Sequence, residues 1–165
     1  MKNYLFFLLL TLVLTSGSCK KSKDEISIAF SCKLNGDTWN PYSGGLKLRE
    51  AEAHLTNDGT ELFIKGLNTK SHEDIGFGIY TPGTKISVGK YKLNMPTMQF
   101  GYYSKNDFKG EFKTKTGFVG EVEIVSFDKS RKTITGRFFF NGFNETTNTS
   151  IAITAGEFNL RYVEF

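Results

Sequence analysis

The chain has 165 residues, with 21 Lys and Arg against 17 Asp and Glu, for a net charge of +4. That length allows one hydrophobic core but not two, and so small a charge surplus does not imply a nucleic-acid partner. With 16 Phe, 7 Tyr and 17 Gly and few strong helix formers, the composition argues for an all-β fold and against a helical bundle.

Lys2 is a short positive start, and Leu5 to Leu14 (LFFLLLTLVL) is an apolar run. Ten residues rise only about 15 Å as a helix, half of a hydrocarbon core, so the segment reads as a secretory signal over residues 1–18. Thr15-Ser16-Gly17-Ser18-Cys19 follows, with Ser16 where a leucine is usual, and it resembles a bacterial lipobox. The resemblance implies that the Cys19 thiol carries diacylglycerol and that the chain is cut before it. Two or three acyl chains, at about 0.8 kcal/mol per buried methylene, would make the anchor firm. Residues 19–25 are then the lipidated cysteine and a polar tether, Lys20-Lys21-Ser22-Lys23-Asp24-Glu25. Extended, this tether reaches about 20 Å, which holds the domain close to the bilayer. Its lysines either meet anionic lipid or form a solvated linker.

Residues 26–165 read as one β domain without internal repeats. Ile28, Phe30, Cys32 and Leu34 share one strand face, which makes Cys32 a buried apolar residue and not a nucleophile. Asn35-Gly36 is a hairpin turn, Thr38-Trp39 begins the return, and Pro41 and Gly44-Gly45 break the chain. Trp39 reads as a core or rim anchor. Leu46 to Leu55 has helical composition. Ala51, Ala53 and Leu55 nevertheless alternate with Glu50, Glu52 and His54, so Leu48 to Thr56 is expected as a strand. Asn57-Asp58-Gly59 turns it into Thr60 to Leu67. Ile75 to Tyr80, Lys85 to Leu93 and Met98 to Ser104 follow, with Pro96 in a connection.

The last third predicts a meander of Val119 to Phe127, Lys132 to Phe140 and Ser150 to Tyr162. Ile151 and Ile153 are of odd parity, whereas Phe158, Leu160 and Tyr162 are even. A bulge or bend is therefore expected near Ala155-Gly156. The whole reads as a single antiparallel β-sandwich or partly closed barrel of about 8–9 strands.

Three stretches carry a resemblance: Phe30-x-Cys-x-Leu-Asn-Gly-Asp-Thr-Trp39, Val88-Gly-Lys-Tyr-Lys-Leu93, and the C-terminal run. That run comprises Gly120 to Asp128, Lys132 to Phe140 and Ile153 to Phe158. Together they resemble a family of Bacteroidota lipoproteins of unknown function. The resemblance implies an exported, lipid-anchored β domain at the outer membrane, facing the periplasm or the cell surface, and it brings no catalytic residues.

Chemistry is sparse. Glu50, Glu52 and His54 lie on one strand face about 7 Å apart and are weak metal-ligand candidates that lack a closing partner. His72 lacks the second histidine of a zincin, and Gly76-x-Gly78 lacks the rest of a nucleotide fingerprint. Glu121 and Glu123 read as the wet side of a strand. No cofactor is implied. Tyr102 and Tyr103 must face opposite ways, which exposes one of them, and Phe139 lies opposite the Ile134/Phe138/Phe140 face. These three aromatics are the candidate ligand contacts. The leading expectation is a non-catalytic module, anchored at Cys19, that binds a protein or glycan. The alternatives are a small hydrophobic ligand carrier with a barrel-like cavity and, behind it, a hydrolase with a loop-built site.

Overall fold

The computed structural model describes residues 29–45, 49–95, 97–105 and 110–165. The leader, Cys19, the tether, Ile28 and Pro96 lie outside the described residues. β1 (Ala29–Leu34) buries Phe30 and Cys32, as its alternation requires. Asn35 and Gly36, at φ 52° and 96°, turn it into β2 (Asp37–Trp39). Both central residues of this tight hairpin have positive φ, the reason Asn-Gly serves there. β3 (Ala51–Thr56) alternates buried and half-buried residues along its length, so period two prevails over helical composition. A 3₁₀ turn at Asn57–Gly59 leads to β4 (Glu61–Asn68), followed by β5 (Glu73–Tyr80).

β6 (Gly89–Lys92) is shorter than the expected Lys85 to Leu93, and β7 is Gln99–Lys105. β8 (Glu111–Lys113) was not foreseen, because three residues are too few to show a period. β9 (Gly120–Asp128), β10 (Thr133–Asn144) and β11 (Thr149–Glu164) form the expected meander. Among the described residues the count is thus eleven strands, not eight or nine.

All eleven belong to one sheet, in the order β2-β1-β11-β3-β4-β5-β7-β8-β10-β9-β6. β10 also pairs with β11, which bends the sheet back into a partial ring. It is neither a two-sheet sandwich nor a full barrel. Two seams close the ring. One is the single pair Phe143↔Lys113 between β10 and β8. The other is the parallel stretch of Tyr162, Val163 and Glu164 along Ala53, His54 and Leu55. At each seam a strand edge serves two neighbours in turn. The edge of β11 holds β1 and then β3, and the edge of β10 holds β9 and then β8.

The expected bulge is present. Phe138 pairs with Gly156 but Phe140 with Ile153, which leaves two residues of β11 opposite Phe139. Ala155 there has φ 48°. One extra residue flips the parity, so Ile151 and Ile153 share the interior with Phe158, Leu160 and Tyr162.

Side chains fill the ring. The Phe138 ring lies 5.2 Å from Phe30, 5.3 Å from Phe77 and 6.4 Å from Phe158, centroid to centroid. Phe140, Ile124 and Ile153 are fully buried beside them. Glycines make room for the rings. A Cβ on Gly101 would stand 2.5 Å from the Phe140 ring, and one on Gly156 2.6 Å from that of Phe138. Each buried aromatic stabilises the fold by about 1.5–3 kcal/mol relative to exposure.

Candidate functional site

Tyr102 and Tyr103 do face opposite sides of β7, but neither is exposed, a correction to the expectation for that pair. Tyr103 points inward and is 7% exposed; Tyr102 points outward and is 6% exposed. What covers Tyr102 is an outer cluster. Its ring stacks on Phe63 at 5.9 Å and lies over Gly76, where a Cβ would be 2.8 Å from it. The phenol donates to Asp74, which also bonds Ser104. Burial pushes the Asp74 carboxyl above its ordinary range and the nearby Glu111 adds to this, while the two hydrogen bonds and Lys65 oppose it. The Tyr102 phenol is likewise raised, by burial first and then by the Asp74 charge.

Phe139 is exposed, at 40%. It stands in a shallow groove of about 330 Å³ beside the bulge, among Lys90, Glu121, Glu123, Arg137 and Glu157. Lys90 Nζ bonds Glu121 Oε1 at 2.9 Å. An apolar ring framed by charges of both signs suits stacking on a flat, polar-rimmed partner.

Glu50, Glu52 and His54 do not converge. Glu50 precedes β3, and its Oε1 accepts from Ser43 N–H at 3.2 Å and Ser43 Oγ–H at 3.1 Å. Glu52 pairs with Lys65 at 2.9 Å and with His54 at 3.2 Å. Among the described residues no group of three His, Cys, Asp or Glu is placed to hold a metal ion. His72 is exposed on the turn between β4 and β5. Burial pushes the Cys32 thiol up to about 12, which removes it as a nucleophile near neutral pH.

Sequence reasoning missed the mouth of the ring. Leu34, Tyr103, Phe112 and Ile151 line a recess of about 380 Å³, with Lys105 and Thr149 on its rim. Glu73 braces this end. Its Oε2 accepts from Trp39 Nε1 at 3.0 Å and Ser71 Oγ at 2.9 Å, and its Oε1 from Tyr103 Oη at 3.0 Å. Lys105 Nζ lies 3.6 Å from Oε1. Burial raises the Glu73 pKa, but the hydrogen bonds and the lysine outweigh it, so the carboxyl is held below its usual range. The carboxylate thus ties β2, β5 and β7 together and fixes one wall of the recess. Its partners lie far apart in sequence, and no local motif announces them.

Over residues 27–160 the chain matches the family described as Domain of unknown function (DUF6252), and it belongs to that family. No curated protein and no solved structure matches it.

Proposed function

We propose that the chain is a non-catalytic envelope module. Lipid on Cys19 holds it to the outer membrane, on the periplasmic or the cell-surface side, and it binds a protein or glycan partner at the mouth of its ring. One observation carries the reading. β1 starts at Ala29 beside Asn159 and ends at Leu34 beside Ile153, so the chain enters the domain at one end and the recess opens at the other. A tether arriving at Ala29 would aim the recess away from the bilayer. The exported leader and the cysteine that follows it support the anchor. The filled interior weighs against a carrier with an internal cavity. Shallow recesses with apolar floors and polar rims suit contact with a macromolecule.

Two measurements test this. Cys19→Ala is expected to move the protein from the membrane to the soluble fraction; unchanged membrane association removes the anchor. Envelope extract passed over immobilised protein is expected to yield a partner that Phe112→Ala loses and Phe139→Ala retains. The reverse pattern transfers binding to the Phe139 groove, the second reading that its exposed ring favours.

A further inference from the structure

Where β1 leaves the edge of β11 and β3 takes its place, the sheet parts into a cleft of about 650 Å³. Phe30, Pro41 and Ala51 give it apolar walls, and Arg49 and Arg161 stand on its rim. Both arginines are exposed, and among the described residues neither makes an ion pair. Their neighbours behave differently. Arg131 pairs with Asp128 at 3.8 Å and Lys132 with Glu164 at 3.2 Å. Glu50 also lines the cleft, and one of its oxygens is held by Ser43. Two guanidinium groups against one carboxylate leave the cleft with a single positive charge.

We propose that this cleft binds a phosphate ester anion and that the source is a phospholipid headgroup. The guanidinium fork matches phosphate oxygens two at a time, which a lysine cannot do. A charge of +1 suits a monoanionic phosphodiester, and the apolar walls suit the glycerol and first methylenes beside it. Ala29, where the described chain begins, is itself part of the cleft lining. From Cys19 to Ala29 the backbone spans at most about 35 Å, so a chain anchored at Cys19 keeps the cleft near the headgroup layer. The choice of a lipid source rests on the anchor reading above; the phosphate chemistry does not.

The full chain, purified in neutral detergent, is titrated calorimetrically with dihexanoyl-phosphatidylglycerol and, separately, with sodium phosphate. Mass spectrometry of the same sample reports the state of Cys19. The lipid is expected to bind saturably and more tightly than free phosphate. Arg49→Gln with Arg161→Gln is expected to weaken it about tenfold or more, while Lys129→Gln on the neighbouring turn leaves it unchanged. Thermal unfolding confirms that the variants stay folded. Equal affinity in the double variant, or no saturable binding, overturns the cleft. Free phosphate binding as tightly as the lipid overturns the headgroup source. A bare Cys19 with binding intact overturns the anchor and leaves the cleft standing.

Discussion

The two halves of the sheet treat their outer faces differently. Across β9, β10 and β11 the outward residues include Glu121, Glu123, Arg137 and Glu157, a largely polar surface interrupted by Val125, Phe139 and Phe143. Across β4, β5 and β7 the outward face is clad instead: Tyr102 lies over Gly76, Phe100 over Gly78, and Phe63 stacks on Tyr102. The device behind both is one. In cross-strand register Gly76 faces Tyr102 and Gly78 faces Phe100, as Gly136 faces Phe158 and Gly156 faces Phe138. Each glycine lets the opposing ring lie over the backbone, and the ring in turn covers the glycine, as in the aromatic rescue of strand glycines. In the meander the rings point inward and build the core. In the other half they point outward and build a second, smaller apolar layer. A glycine in a strand is therefore a site for a ring, and its parity decides which side of the sheet becomes dry.

Substitutions can break this contrast. Tyr102→Ala is expected to cost about 3 kcal/mol or more, a core-sized loss from an outward position, measured by denaturant unfolding. It uncovers Gly76 and removes a donor from Asp74. A cost below about 1 kcal/mol would make the cladding ornamental and the two faces alike. Next in size, Ala155→Gly is expected to stabilise by about 0.5–1 kcal/mol, because a left-handed alanine is strained and glycine is not. The same unfolding curves read it.

Asp74→Asn sharpens the contrast through pH. Burial raises the Asp74 carboxyl, so the folded state favours its protonated form, and the stability gained by protonation is lost as pH rises through the folded value. At pH 7 the variant is expected to melt above the parent protein. The gap should close by about pH 3, where the parent carboxyl is neutral in both folded and unfolded chains. A gap independent of pH would show that charge burial is not the cause. Smallest of all, Phe139→Ala is expected to change stability by no more than about 0.5 kcal/mol, since its ring already meets water.

Much of the fold is written in local pattern. Period-two alternation places β1, β3, β4 and β9, Asn35-Gly36 places the first hairpin, and the parity switch in β11 locates the bulge to within about a residue. What closes the sheet into a partial ring is not written that way. The seams consist of one residue pair at Phe143 and a short parallel stretch at Tyr162, and nothing near either position signals its partner. The candidate sites divide similarly. Phe139 was legible because outward parity leaves its ring exposed. The cover over Tyr102 was not legible, because alternation says which way a side chain points, not what lies above it. Glu73, Arg49 and Arg161 gain their meaning only from strands that meet in three dimensions.

β11 has a consequence for how the molecule comes into being. It follows β1, β3 and β10 in the sequence, yet each of the three pairs with it. β1 and β3 therefore leave the ribosome before the sixteen residues of β11 exist to pair with them, and the ring stays open until that strand is made. Contacts between distant parts of a chain also form slowly. Both delays lengthen the interval in which the edges of β1 and β3 stand unpaired and open to another strand.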